Sequence, residues 1–216
     1  MAGQTIDRPL WRAFPEESLT GAAAFVRAGG HGVVWAPGRA RPAAWLLLPC
    51  GTDGTLSPLS QWVVMILGRR TYALVSSRPA RGLALLRVPR RFEQRVSGWC
   101  ERDETWPGAT RTIALDCTAC GACCVGCRAV LRPPDLTRWH RAGRTDLAAR
   151  SYIRRQNGRL LLRLRDSDNA CVHLDQKSCG IYPLRPYVCR IFPVGSEGCL
   201  DARRIVLGAV DGAVTA

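Results

Sequence analysis

The apolar positions of this chain follow two regimes that divide near residue 110. Before that point they come as short bursts broken by Gly, Pro and Arg. Residues 32–36, 43–48, 62–67, 71–76, 83–88 and 111–115 are each of strand length and rich in Val, Leu, Ile and Trp. Bursts of that kind predict a small antiparallel sheet or barrel. Residues 16–27 predict a short helix ahead of them, with Ser18 or Thr20 in its first turn and Gly29-Gly30 as its stop. Leu67-Gly68-Arg69-Arg70-Thr71 reads as a hairpin turn between two of the strands. Trp11, Trp35, Trp45, Trp62, Trp99 and Trp106 belong to this half and are expected in its core, in preference to serving as stacking platforms for bases.

After the strand at 111–115 the pattern changes. Pro133-Pro134-Asp135 opens a helix that runs to Arg141, since proline suits the first helical position. A second helix is expected from Thr145 as N-cap, through Leu147, Tyr152 and Ile153, to a stop at Asn157-Gly158. Leu160, Leu162 and Leu164 alternate with Leu161, Arg163 and Arg165, the mark of a half-buried strand with an arginine-bearing face. Ser167-Asp168-Asn169 then turns the chain toward Cys171. The expectation is an α+β protein, with a β-rich part over residues 1–110 and a small cysteine-rich metal-binding domain with short helices over residues 111–216.

Composition narrows the classes. A hydrophobic content of 47% excludes a disordered chain. No run approaches the ~18 apolar residues of a membrane span, and the start MAGQTIDRPLWRAF lacks the charged and apolar regions of a signal peptide. A cytoplasmic protein without a membrane partner is therefore expected. In that reducing compartment eleven cysteines point to metal ligation instead of disulfides. The net charge of +14 would suit a polyanion, which makes nucleic acid a candidate partner through Arg138, Arg141, Arg144, Arg150, Arg154 and Arg155. Two observations weigh against it. Lys177 is the only lysine, so the charge follows an arginine-rich composition, and arginines near metal thiolates balance their negative charge.

Candidate chemistry concentrates in Cys117–Cys127, CTACGACCVGC, where five cysteines fall within eleven residues. Cys117, Cys120, Cys123 and Cys127 repeat the C-x2-C-x2-C-x3-C spacing that wraps thiolates around an iron–sulfur cluster, with Arg128 where proline usually follows. The same short loops suit zinc. Cys171, Cys179, Cys189 and Cys199 follow downstream, while Cys50 and Cys100 stand apart and are expected to be buried structural thiols.

Taken together, Cys117, Cys120, Cys123 and Cys124 followed by Cys171, Cys179, Ile181, Tyr182, Arg185, Pro186, Cys189, Arg190, Phe192 and Pro193 form an irregular pattern, CxxCxxCC and then C…CxIYxxRPxxCRxFP. This pattern resembles the YkgJ-type CxxCxxCC family of zinc- or iron-chelating proteins, over residues 116–193. The resemblance implies a metal site split between the two cysteine groups. It also extends to flagellin lysine N-methylase, which has a similar cysteine arrangement and implies that some members are enzymes. This chain departs from the simplest pattern by adding Cys127 and Cys199. The candidate ligands are thus Cys117, Cys120, Cys123, Cys124, Cys127, Cys171, Cys179 and Cys189, and the set that closes the site stays open.

The other motif residues have supporting readings. Ile181, Tyr182 and Phe192 are expected to pack, Pro186 to start a short helix carrying Cys189, and Arg185 and Arg190 to hydrogen-bond sulfurs or loop carbonyls. His173 is a weaker candidate ligand, and His140 and His31 have less support still. Soft thiolates select zinc, copper(I) or iron–sulfur, and the ferredoxin-like spacing favours a [4Fe-4S] cluster with zinc as the alternative. Three functions compete. The first is a metal-binding accessory, interaction or electron-transfer protein whose N-terminal half binds a partner protein. The second is a protein-modifying enzyme resembling the flagellin methylase, although no nucleophile, acid–base pair or glycine-rich cofactor loop stands out. The third is a zinc-stabilised nucleic-acid-binding module.

Overall fold

The computed structural model describes residues 4–36 and 43–209. The ends of the chain, including residues 210–216 of the expected cysteine-rich domain, lie outside the described residues. It is an α+β protein whose chain divides into two compact units. Of the described residues, one unit comprises those of 5–113 with 195–197, and the other comprises residue 4, 114–194 and 198–209. Among the described residues no helix is long and apolar enough to cross a membrane.

The first unit is built on a five-stranded sheet. Its elements are β1 (Gln4–Pro9), β2 (Trp11–Pro15), α1 (Leu19–Arg27), β3 (His31–Ala36), β4 (Ala43–Leu48), α2 (Pro58–Ile66), β5 (Ala73–Leu74), β6 (Ala84–Arg87), α3 (Arg90–Asp103) and β7 (Thr110–Leu115). The sheet runs β2-β3-β4-β6-β5, and β1 pairs with β7 separately. The expected small sheet is present and mostly antiparallel, among the described residues no barrel closes, and one pair departs from the expectation: β2 runs parallel to β3 with Trp11 opposite His31. Helix α1 is the crossover that a parallel pair requires. It begins after a short 3-10 turn at Glu16–Ser18 and stops where Gly29 takes φ +102° and the Gly30 amide reaches back to the Phe25 carbonyl.

Both faces of this sheet are covered, which explains why β4 reads as the unbroken apolar run AAWLLL. Val33, Leu46 and Leu48 pack with Val63, Val64 and Leu67 around α2 and with Val96 and Trp99 of α3. Val34 and Leu47 point the other way, toward Ala22, Ala23 and Val26 of α1. Trp11 and Trp99 are fully or almost fully buried, and Trp35 and Trp45 are partly buried in these cores.

Two expectations in this region fail for one reason. Residues 62–67 are not a strand, and 67–71 is not a hairpin turn. The Ser57 side chain accepts the Ser60 amide at 3.2 Å and Pro58 takes the first helical position, so the β-branched Val63-Val64 pair is drawn into α2. Gly68, at φ +68°, ends that helix, with the Arg69 amide bonded to the Val64 carbonyl. Helix α3 was not foreseen, yet Phe92, Val96, Trp99, Cys100 and Asp103 recur on one helical face after Pro89.

The second unit is smaller and irregular. It contains β8 (Val130–Leu131), α4 (Pro133–Arg141), β9 (Ile153–Gln156), β10 (Arg159–Leu162), β11 (Leu174–Asp175), β12 (Ser178–Cys179), α5 (Tyr187–Arg190) and most of α6 (Glu197–Leu207). Helix α4 has the expected bounds. The helix expected from Thr145 is only a 3-10 turn at Thr145–Ala148, and Ile153 starts a strand instead. Asn157-Gly158, both at positive φ, is the two-residue turn of the β9–β10 hairpin, where Gln156 faces Arg159. Trp139, Leu147, Leu162 and Ile181 form the core, with Cys127, Cys171, Cys179 and Cys189 packed at its edge.

Candidate metal centre

The first cysteine loop leaves β7 through Asp116, whose Oδ1 accepts the Thr118 amide at 2.8 Å and its hydroxyl at 2.6 Å. That turn presents Cys117. The loop then curls at Gly121, φ +63°, into a 3-10 turn at Ala122–Cys124, with the Cys124 amide bonded to the Gly121 carbonyl at 2.9 Å. Glycine is required at 121 twice over. Its φ is left-handed, and a β-carbon there would sit 3.1 Å from the Lys177 carbonyl and 3.0 Å from Leu174 Cδ1.

Lys177 lies in the β11–β12 turn, so that close approach already joins the two cysteine groups. Hydrogen bonds complete the seam. The Cys171 amide donates to the Cys124 carbonyl at 2.8 Å, the Gly126 amide to the Asn169 carbonyl at 2.8 Å, and the Ser178 hydroxyl to the Thr118 carbonyl at 2.9 Å. Cys179 in β12 pairs across to Leu174 of β11.

Cys189 arrives on a separate arm. Pro186 caps the one-turn helix α5 that carries it, as expected. The arm is fixed by Asp135 of α4, a carboxylate only 1% exposed. Its Oδ1 accepts the Tyr187 amide at 2.7 Å while its Oδ2 accepts the Arg132 amide at 2.9 Å. One acid thus caps its own helix and the start of α5. Nearby, the Trp139 indole and Arg138 both donate to the Leu184 carbonyl, at 2.7 and 2.9 Å.

The thiols gathered by these devices act on one another. The charge of Cys123 raises the pKa of Cys117, Cys124, Cys179 and Cys189, and that of Cys171 raises Cys124 and Cys189. Cys117, Cys171 and Cys179 are pushed up first by burial and then by neighbouring sulfurs. Cys123 falls to about 7, because Cys124 donates a hydrogen bond to it and Arg185 lends positive charge. Cys127 is lowered by a hydrogen bond from Cys189, and Cys124 and Cys189, the donors, are raised. These influences link the eight candidate cysteines electrostatically, with Cys120 felt by Cys117. No disulfide joins any cysteine.

The supporting residues divide. Arg185 lies over the Tyr182 ring at 3.6 Å, donates to the Tyr182 carbonyl at 3.1 Å and lowers Cys117, Cys123 and Cys179 electrostatically. Arg190 is exposed and sits over Tyr187. Ile181 is 5% exposed and packs in the core. His173 faces Tyr152, with Arg144 and Asp146 acting on it, and is lowered chiefly by burial. Cys50 and Cys100 lie in the first unit; burial, then the charge of Asp103, pushes Cys100 up to about 12.

Sequence reasoning missed Arg203. Its Nη1 donates to Cys120 Sγ at 3.1 Å from helix α6, and the residue is only 5% exposed. It also missed the role of Asp135 beyond its own helix. No spacing rule links either residue to the cysteines.

The donor chemistry fits a soft ion, being all sulfur with two arginines at hand to balance thiolate charge. Among the described residues no three His, Cys, Asp or Glu side chains are arranged to hold a metal ion. A metal would take these sulfurs by displacing their thiol protons.

Comparison with protein families gives a match at residues 116–204 to the CxxCxxCC family, described as a "putative zinc- or iron-chelating domain". The match reaches α6 and so takes in Cys199 and Arg203. Searches of curated proteins and of solved structures find no match.

Proposed function

We propose that this protein carries a [4Fe-4S] cluster in the split cysteine site and works as an accessory or electron-transfer protein. Generic metal binding follows from the chelating-domain match. The cluster reading is supported by one observation above the rest. The Cys117–Cys127 loop has ferredoxin-like spacing, the Cys171 amide is bonded to its Cys124 carbonyl, the Ser178 hydroxyl beside Cys179 to its Thr118 carbonyl, and Asp135 holds the arm that carries Cys189. Eight candidate thiols exceed the four that a structural zinc site uses. The surplus suits a larger centre or a second one. The partner in this reading is another protein held by the N-terminal unit, whose Met65 and Leu74 are exposed apolar side chains, 59% and 52%.

Anaerobic purification followed by metal analysis and absorption spectroscopy tests the proposal. A cluster gives iron and acid-labile sulfide together with a broad band near ~400 nm from sulfur-to-iron charge transfer. A colourless protein with stoichiometric zinc overturns the cluster and leaves the chelating domain intact.

A further inference from the structure

We infer that Arg203 is a positioning residue of the metal centre, holding Cys120 as a ligand and balancing its charge. This inference rests on the reading of the cysteine site as metal-binding. Arginine is almost always exposed unless paired, yet Arg203 is 5% exposed, with its guanidinium held at this sulfur. Its Nη1 stands 3.1 Å from Cys120 Sγ, within range for a hydrogen bond to sulfur. The guanidinium cannot lose its proton, so the sulfur is always the acceptor.

The charge arithmetic supports the assignment. Four thiolates around zinc, or around a [4Fe-4S] cluster in its 2+ state, leave a net charge of about −2. Arg203 on Cys120 and Arg185 beside Cys117, Cys123 and Cys179 supply two positive charges. The two arginines approach from different segments, α6 and the loop before α5. An N–H···S bond also lowers electron density on the sulfur, which is one of the ways a protein sets a cluster's potential. Residues 198–204 are thus a functional part of the site, although they carry no cysteine of the CxxCxxCC signature.

The test is a double-mutant cycle on the full chain. Arg203→Gln, Arg203→Lys, Cys120→Ser and the Cys120→Ser/Arg203→Gln double variant are compared for zinc affinity by chelator competition. Cobalt(II) substitution supplies the thiolate charge-transfer spectrum. Partners outside the ligand shell typically change affinity by about 10–100-fold. Arg203→Gln should therefore weaken zinc at least about tenfold and perturb the cobalt spectrum, Arg203→Lys should restore much of both, and Arg203→Gln should cost little more once Cys120 is serine. Losses that add independently, or an Arg203→Gln variant with native affinity and spectrum, overturn the inference. Failure of the unaltered protein to bind zinc, cobalt or iron would instead refute the metal-site reading itself.

Discussion

Asp135 offers the sharpest test of how the fold builds the centre, because it touches no cysteine. Its two oxygens hold the amides of Arg132 and Tyr187 at 2.9 and 2.7 Å from a position 1% exposed. A hydrogen bond to a charged group contributes about 1.5–3 kcal/mol, and a buried donor left unmet adds a desolvation cost. Asp135→Ala removes both bonds and should cost about 3–5 kcal/mol in the second unit. Asp135→Asn keeps one oxygen and should cost about half as much. The functional consequence falls on α5. With Tyr187 released, Cys189 loses its fixed approach to Cys127, and ordering that arm must be met by the metal. A penalty of ~1.5–3 kcal/mol on binding corresponds to about a ten- to hundredfold weaker affinity. Hydrogen exchange of the 187–191 amides reads the local effect, and zinc or iron competition reads the coupling. Native exchange at 187–191 with unchanged metal affinity in Asp135→Ala would refute the reasoning.

Gly121→Ala should disturb the seam between the cysteine groups, since its φ of +63° and the Lys177 carbonyl at 3.1 Å both oppose a β-carbon. A loss of about 1–3 kcal/mol with weaker metal binding is expected, and a stable variant with native affinity would count against it. In the first unit, hydrogen bonds from Arg8 and Arg102 hold Asp103 down to about 2, although burial alone would raise it. Asp103→Asn removes the buried carboxylate charge that Arg8 and Arg102 both bond and should cost about 3–5 kcal/mol by urea unfolding; a loss under about 1 kcal/mol would be the wrong answer. Burial, with the charge of Arg8, pushes His31 down from 6.5 to about 3. The unfolded chain takes up that proton below about 6.5 and the folded chain refuses it until about 3, so stability falls with acid at ~1.4 kcal/mol per pH unit across the window. His31→Gln, which can still meet the Ser60 hydroxyl, should flatten this limb in exchange of the β3–β4 amides; equal slopes would refute it.

What the sequence discloses is what depends on neighbours in the chain. Pro133 at a helix start, the β4 run and the turn at Asn169 are local signals, and each appears where expected. The parallel pairing of β2 with β3 is not local, because it depends on how α1 packs back across the sheet. Asn157-Gly158 reads in the sequence as a helix stop, but a helix stop and a hairpin turn draw on the same two residues. The choice was made by pairing of β9 with β10. The Val63-Val64 pair fails in the opposite sense, its strand preference being overruled by a capped helix start at Ser57. At the site, cysteine identity carries the chemistry and was readable directly. Arg203 lies 83 residues from Cys120 and Asp135 lies 52 from Tyr187, and nothing in either local sequence marks the pairing.

These long-range ties bear on how the centre would choose its metal. Fixing one residue's backbone costs about 1–2 kcal/mol, so cysteines already held by other bonds give the metal less ordering work. Cys124 and Cys171 are tied to each other through main chain, Cys179 is paired in the β11–β12 hairpin, and Cys189 is held through Asp135. Cys120 is held through its sulfur by Arg203. None of those main-chain bonds uses a sulfur lone pair, so they persist whichever ion binds. They set the strength of binding for any soft metal alike. Discrimination between zinc and a cluster must then reside in the sulfurs themselves, in how many give up their thiol protons and how much positive charge Arg185 and Arg203 bring to them.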